Sequence, residues 1–238
     1  MSKNAQGYMG IQVGKLGPAV GFMWKGKNVY RGYNPFAKDP KTGSQVAQRN
    51  KFKFLSKLAR LLSPAINRGY DYNAKYESTT ERGLFMRDNA NLLAGTAEYA
   101  DMNLTLDENL KLATGPMLDP MFGTPTYDAE NKEINIPYST NLLGCADEMD
   151  SIVVLAVNAD EVTAENVDKL LPIIAFSNRS DGSIRVNLPD YLAQAGTKIA
   201  LYGFAHASNT EAIYIEAYAG YMYPGMSSDS QFIGTLTL

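Results

Sequence analysis

The stretch from Ser44 to Ile66 constrains the fold of this chain more than any other part of its sequence. Apolar side chains recur there every three or four residues, a spacing that places them on one face of an α-helix. These residues are Phe52, Leu55, Leu58, Leu62 and Ile66. The stretch therefore predicts an amphipathic helix that Ser44 caps and that Pro64 ends or kinks, because proline has no backbone N–H to donate.

A row of basic side chains follows the same spacing on another face of this helix. The row, which we call the basic stripe, consists of Arg49, Lys53, Lys57 and Arg60. No acidic residue lies between Asp39 and Asp71 to neutralise it locally. We therefore expect the basic stripe to bind an acidic region of another subunit or an anionic partner, and a merely solvated helix face is the alternative.

Charge is divided unevenly along the 238 residues, whose formal net charge is −3. Residues 1–90 contain 16 lysines and arginines against 5 acids, whereas residues 91–238 contain 6 against 20. The net charges of these two segments are thus +11 and −14. Such a division favours head-to-tail contact between subunits or an anionic ligand, although the two halves could also neutralise each other within one chain.

An aromatic β-hairpin is predicted before the helix. The runs Ala19–Trp24 and Asn28–Tyr33 flank Lys25-Gly26, a two-residue turn of the kind that closes hairpins. Three aromatic side chains of this hairpin are a candidate platform on which a sugar or a base could stack. They are Trp24, Tyr30 and Tyr33. The alternative is that these side chains cover the helix.

A second helix is predicted from Thr79 to Leu93, because Ser78 and Glu81 have the spacing of a capping box. The tyrosine-rich segment before it is predicted to be a polar connection, and two short strands turning at Asp107-Glu108 should follow it. A cluster of prolines and glycine then marks a domain boundary, between a basic domain of residues 1–125 and an acidic domain of residues 126–238.

Short strands at regular intervals are predicted for the second domain. Their ranges are 133–138, 151–158, 172–177, 183–188, 198–207, 212–221 and 232–238. About seven strands in such a length are typical of an immunoglobulin-like or fibronectin-like sandwich. The run from Ser151 to Asn158 is apolar on both faces, which predicts a central or covered strand. The predicted fold class is therefore α+β, with a hairpin and helix module followed by an antiparallel β-sandwich.

Four segments resemble a known family. They are GKLGPAVGFMWKGKNVYRGYNP, TGSQVAQRNKFKFLSKLARLL, NRSDGSIRVNLP and SSDSQFIGTLTL. Over nearly its whole length the chain is similar to an uncharacterised domain-of-unknown-function family of Bacteroidota bacteria and their phages. The most specific motifs are the helix start at Gln45, Gln48 and Arg49 and the run from Ser228 to Gln231. The resemblance implies a hairpin-helix module before a β-sandwich, and it supplies no catalytic residue or ligand; EINIPYS lacks the tryptophan expected in the first sandwich strand.

The residues give little support to enzymatic chemistry. Cys145 and His206 are the only cysteine and the only histidine, so an intrachain disulfide and metal sites with two imidazoles are excluded. The acidic run at Asp147-Glu148 lacks the ligand spacing of a calcium loop. We therefore predict no catalytic residue, no metal and no cofactor. The sequence also contains no secretion signal and no apolar run of about 18 residues that could span a membrane.

We therefore expect a non-enzymatic structural protein that assembles with itself or with other virion proteins, as a capsid, decoration or tail-associated component of a virion or in the host cytoplasm. Two other classes stay open. One is a surface-binding module that recognises glycan or cell envelope through exposed aromatic residues. The other is a protein that contacts nucleic acid through the basic stripe, which the acidic second half disfavours because it repels phosphate.

Overall fold

A computed structural model of the chain describes residues 13–36, 39, 41–142, 146–159, 161–208, 213–215 and 220–238. The chain divides into two compact units, Met1–Thr42 and Gly43–Leu238. We call them the N-terminal unit and the main unit. This division differs from the boundary at residue 125 that the proline cluster predicts.

The N-terminal unit contains a three-stranded antiparallel sheet of order β1-β2-β3. Its strands are β1 (Gly14–Leu16), β2 (Ala19–Trp24) and β3 (Lys27–Gly32). The turn between β2 and β3 is Lys25-Gly26, with φ angles of +46° and +72°. Positive φ at both positions matches the right-handed twist of the flanking strands, which is why glycine suits the second position.

The described part of the main unit begins with helices. They are α1 (Gly43–Leu61), α2 (Ser63–Gly69), α3 (Asp71–Tyr76) and α4 (Glu81–Asn89), followed by single 3-10 turns at Ala90–Leu92 and Tyr99–Asp101. No helix in the described ranges has both the length and the apolar character that a bilayer crossing requires.

The helix predicted over residues 44–66 is two helices in the structure. α1 begins at Gly43, so that Ser44 lies inside its first turn, and Pro64 lies in the first turn of α2. Four of the five apolar residues predicted to be buried are buried, but Phe52 is 46% exposed. Phe54 and Leu55 both point inward, so the buried face is centred between them and lies about 110° from Phe52 at 3.6 residues per turn.

The region of the second predicted helix also differs in detail. α4 begins at Glu81, and its N-cap is Thr80, whose side chain accepts a hydrogen bond from the Gly83 N–H at 3.1 Å. Ser78 has a φ angle of +51° and lies outside the helix, so the capping box predicted there is wrong. The segment predicted as a polar connection contains α3. The Tyr72 N–H of this helix donates a hydrogen bond to the Gly225 carbonyl at 3.3 Å, which holds α3 to the segment before β14.

Eleven further strands lie in the described part of the main unit. They are β4 (Asn103–Thr105), β5 (Thr126–Asp128), β6 (Glu133–Pro137), β7 (Ser151–Val157), β8 (Glu161–Thr163), β9 (Pro172–Asn178), β10 (Ser183–Asn187), β11 (Lys198–His206), β12 (Ile213–Ile215), β13 (Gly220–Met222) and β14 (Gln231–Thr237). The strand predicted over 212–221 is thus two paired strands at its ends, and residues 216–219 between them lie outside the described residues. Of the two strands predicted around Asp107-Glu108, only the short β4 is present in the described residues.

These strands form antiparallel sheets. One sheet has the order β14-β11-β7-β9 and another the order β10-β6-β5, while β4 pairs with β8 and β12 with β13. The fold class predicted from the sequence, α+β, is confirmed.

Two apolar clusters lie on opposite faces of the four-stranded sheet. The helices pack with Val153, Leu155 and Tyr202 in one cluster, whereas Ile152 and Val154 pack with β6 and β10 in the other. β7 is therefore covered on both faces and pairs with a strand on each side, which confirms the prediction of a central strand. Since the helices share a core with β7 and β11, residues before and after residue 125 belong to one compact unit.

Candidate interaction surfaces

Two residues of the basic stripe pair within the chain. Lys57 Nζ lies 2.6 Å from Asp168 Oδ2, and the Arg60 guanidinium lies 3.9 Å from Asp168 Oδ1. Asp168 belongs to the 3-10 turn Val167–Lys169, which lies against α1. The hydrogen bond between Lys57 and Asp168 lowers the pKa of the Asp168 carboxyl and raises the pKa of the Lys57 ammonium. Part of the charge division along the sequence is thus neutralised within one chain.

The other half of the basic stripe has a different environment. Lys53 Nζ lies 4.2 Å from the centre of the Tyr99 ring, which is cation–π distance. Arg49 is exposed one turn earlier, and the exposed Phe52 ring lies on the same side of α1. This part of the helix surface therefore combines cations with an aromatic ring, and arginine and aromatic residues are enriched at protein interfaces.

The three aromatic residues of the predicted platform are exposed, but the structure does not bring them together. Tyr30 pairs with Gly21 and Trp24 pairs with Lys27 in the β2–β3 register. Successive side chains in a strand point to opposite faces, so Trp24 and Tyr30 lie on opposite faces of the sheet. Tyr33 is at the other end of the hairpin from Trp24, where its N–H donates to the Pro18 carbonyl at 2.7 Å.

Aromatic and basic side chains do share one face of the N-terminal sheet. We call it the Trp24 face. The register of the three strands places seven residues on it, namely Lys15, Val20, Phe22, Trp24, Lys27, Val29 and Arg31. Lys15 Nζ also lies 4.2 Å from the centre of the Tyr33 ring, so Tyr33 extends the same face. The alternation of side chains along β2 could have indicated this face from the sequence. The predicted platform included Tyr30, however, which lies on the opposite face of the sheet.

A row of tyrosine rings that the sequence prediction missed lies in the main unit. The Tyr72 ring centre is 6.3 Å from that of Tyr76 and 5.8 Å from that of Tyr223, with interplanar angles of 16° and 23°. Tyr76 is 80% exposed and Tyr223 is 42% exposed. The spacing of Tyr72 and Tyr76 along a helix could have indicated their contact. Tyr223 joins them only through the tertiary fold.

The edge of the four-stranded sheet is a fourth candidate surface. Among the residues that the structure describes, β14 pairs with β11 alone. Its sequence, QFIGTLT, has neither a charged residue nor a proline, and it has one bulge at Ile233. A cavity of about 510 Å³ adjoins its first residues and is lined also by Met121 and Phe122. Met121 is 67% exposed, so apolar surface borders the open edge.

The specific run from Ser228 to Gln231 holds loops of the main unit together. Ser228 Oγ accepts from Ala205 N–H at 2.9 Å, and Ser230 Oγ accepts from Leu112 N–H at 2.9 Å. The Asp229 carboxylate accepts from the Thr114 hydroxyl at 3.0 Å and from Gly115 N–H at 3.2 Å. These contacts join the residues just before β14 to β11 and to the segment after α4. The motif therefore has a structural role.

The residues considered for chemistry do not form one site in the described structure. Cys145 lies outside the described residues. His206 is at the end of β11, where burial lowers the pKa of its imidazole. Asp150 is buried beside Arg179, with Asp150 Oδ2 lying 3.5 Å from Arg179 Nε.

A family model provides the comparison for this chain. It matches residues 11–218 and carries the description "Family of unknown function (DUF6266)". Searches of the curated proteins and of the solved structures find no significant match. The matched region covers most of the sequence, including the Trp24 face, the basic stripe and every strand of the two larger sheets of the main unit except β14. The chain therefore belongs to this family of unknown function, DUF6266.

Proposed function

We propose that the chain is a non-enzymatic structural subunit that assembles with copies of itself, and that β14 is a contact between subunits. The observation that carries this proposal is the uncharged edge of the four-stranded sheet, where β14 pairs only with β11 among the described residues. An edge strand presents unpaired backbone donors and acceptors along one side. Monomeric proteins usually protect such an edge with lysine, proline, a bulge or a covering element. β14 has neither lysine nor proline, and beyond its bulge at Ile233 the four residues from Gly234 to Thr237 pair regularly with β11.

A second copy is the partner that fits this edge. Two β14 strands related by a twofold axis can pair antiparallel and join two four-stranded sheets into one. The cavity beside Gln231 and Phe232, which Glu108 and Met121 also line, then provides a place for side chains of the neighbouring subunit. Backbone hydrogen bonds supply the affinity in such strand addition, and the adjoining pockets supply the specificity.

The wider context of this assembly is also a proposal. We propose that the assembled protein is part of a virion, as a capsid, decoration or tail-associated component, and that it is made in the cytoplasm of the host cell. The resemblance to a family of Bacteroidota bacteria and their phages supports this assignment. The two facing sheets would be an immunoglobulin-like packing body, and homo-oligomers or other virion proteins would be the partners.

Size-exclusion chromatography with light scattering, at low and high salt, tests the assembly. We expect the purified chain to form oligomers, and we expect the double variant Thr235→Lys and Thr237→Lys to be monomeric with an unchanged melting temperature. Both threonine side chains are exposed on β14, and lysines there repel their copies across the paired edge. The matched control, Asn103→Lys with Thr105→Lys on β4, should assemble normally. A wild type that is monomeric at every concentration and salt overturns the proposal.

The tyrosine row favours a second candidate function, the recognition of glycan or cell envelope. Near-parallel exposed rings suit the apolar faces of sugars, and the ion pair of Asp71 and Lys75 at 2.7 Å supplies polar groups beside Tyr72. Binding to immobilised glycans, compared between the wild type and Tyr76→Ala, tests this candidate. Equal binding by both proteins, or no binding by either, would remove it.

A further inference from the structure

We propose that the Trp24 face of the N-terminal sheet binds single-stranded nucleic acid, without preference for base sequence. This inference does not rest on the assembly through β14, because no residue of β14 belongs to the N-terminal unit. It also assigns nucleic acid to a surface other than the basic stripe, where Lys57 and Arg60 are paired with Asp168.

The charge of the N-terminal unit is the first argument. The first acid of the chain is Asp39, and residues 1–42 contain seven lysines and arginines against this one acid. The unit therefore has a net charge of +6, whereas the main unit has −9. Within the strand-bearing segment from residue 13 to residue 36, four cations and no acid are present. A polyanion is the partner that such a unit attracts most strongly.

The arrangement of aromatic rings among these cations is the second argument. Trp24 is 57% exposed, and Lys27 lies directly opposite it in the register. Phe22 lies two residues further along the same face, and Lys15 and Arg31 flank Val20 beyond it. Basic side chains therefore lie at both ends of the face, opposite Trp24 and beyond Phe22. Proteins that bind single strands use this combination, in which bases stack on rings and cations contact the phosphates.

The shape of the surface favours a single strand over a duplex. The Trp24 face is one side of a three-stranded sheet, and its rings can stack only with bases whose faces are exposed. A duplex hides those faces within its own stack. We therefore expect unpaired DNA or RNA to bind and paired DNA to compete weakly.

Intrinsic fluorescence provides a direct test, because Trp24 is the only tryptophan of the chain. The full-length protein is titrated at low salt with unlabelled oligothymidylate of about 15 nucleotides. Stacking of a base on the indole should quench the fluorescence in a saturable way. The logarithm of the affinity should fall with the logarithm of the salt concentration with a slope of about −2, since each neutralised phosphate of a single strand contributes about −0.7.

Substitutions separate stacking from charge. Trp24→Ala should weaken binding about tenfold, measured by anisotropy of a labelled oligonucleotide, and Trp24→Phe should restore most of it because a ring is retained. Lys27→Gln with Arg31→Gln should reduce the salt slope by about 1.4. The matched control is Tyr30→Ala, which removes an exposed ring from the opposite face and should leave the affinity unchanged.

Several outcomes would overturn the inference. The first is the absence of quenching at low salt. A second is equal weakening by Tyr30→Ala and Trp24→Ala, because the binding would then not be on this face. A third is equal quenching by polyglutamate, which would assign the face to an acidic protein surface, such as the main unit of another copy.

Discussion

Arg179 is the largest fully buried side chain of the main unit, and its charge is balanced within the fold. Its guanidinium donates to the Leu118 carbonyl at 2.9 Å and to the Asn141 carbonyl at 3.3 Å, and it faces the Asp150 carboxylate. The Asp150 carboxylate also accepts from Asp147 N–H at 2.8 Å. At the scale of single residues, this buried pair fixes the loops around β7 and β9, because a buried charge must be paired or hydrogen-bonded.

The pH dependence of stability should reveal this pair. Burial raises the pKa of Asp150 to about 6, above the value near 3.9 of an unfolded aspartate, although Asp147 N–H and Arg179 oppose the rise. The folded protein then binds this proton more tightly than the unfolded chain does. The stabilisation is therefore present below pH of about 4 and is lost as pH rises through about 6.

Asp150→Asn, which cannot titrate, isolates this effect. We expect the free energy of unfolding of the wild type, relative to that of the variant, to fall by up to about 3 kcal/mol between pH 4 and pH 7, as urea titrations would measure. A relative stability that rises over this range would show instead that the Arg179 charge outweighs burial.

Helix α1 is the element that organises the first apolar cluster of the main unit. Its buried side chains are Phe54, Leu55, Leu58 and Ala59, and Leu62 continues the same face. The opposite side carries the basic stripe, so one helix supplies both core packing and the positively charged surface.

Leu55→Asp should prevent the main unit from folding stably. Leu55 has no exposed surface, and an unpaired carboxylate buried there costs several kcal/mol. Phe52→Asp on the same helix is the matched control and should change the melting temperature little, since Phe52 is partly solvated. Thermal melts followed by circular dichroism compare the two, and similar melting would mean that the helix faces are misassigned.

Arg49 and Lys53 provide the test of what the basic stripe binds. If these residues contact an acidic region of a neighbouring subunit, Arg49→Glu with Lys53→Glu should weaken assembly and leave the melting temperature unchanged, because exposed charges contribute little to folding. Light scattering and thermal melts measure the two properties. Lys57 and Arg60 are unsuitable for this test because Asp168 pairs with them.

Two other results have clear meanings. Normal assembly with loss of salt-dependent nucleic-acid binding would assign the basic stripe to phosphate contacts. If neither property changes, the basic stripe is a solvated helix face.

The whole molecule consists of a small basic unit and a larger acidic unit. Both apolar clusters lie entirely within the main unit, where the four-stranded sheet separates the helices from the β10-β6-β5 sheet. The helices cover a face of the sheet that a two-layer sandwich would leave to solvent. The main unit therefore needs its helices as well as its strands.

Two truncations distinguish this division from the boundary predicted at residue 125. We expect residues 43–238 to unfold in one cooperative transition, because they contain both clusters. We expect residues 126–238 to aggregate or remain unfolded, because Val153, Leu155 and Tyr202 lose their cover. Calorimetry of the two fragments measures this, and cooperative folding of the shorter one would support the predicted boundary.

The sequence by itself determined those elements whose local pattern and tertiary environment agree. The positions of β6, β7, β9, β10, β11 and β14 follow from short apolar runs between turn residues, and the double-sided apolar pattern of β7 predicts its central place. The inward face of α1 was predictable from Leu55, Leu58 and Leu62, because helical periodicity depends only on local spacing.

Only the tertiary structure decided the pairing of distant groups. The salt bridge of Lys57 with Asp168, the ring contact of Tyr72 with Tyr223 and the inclusion of the helices in the core of the sheet all join residues far apart in sequence. Periodicity predicts which face of an element is apolar, but it does not predict which element covers that face. For the same reason, the proline cluster near residue 120 indicated a break in the secondary structure and not a break in the core.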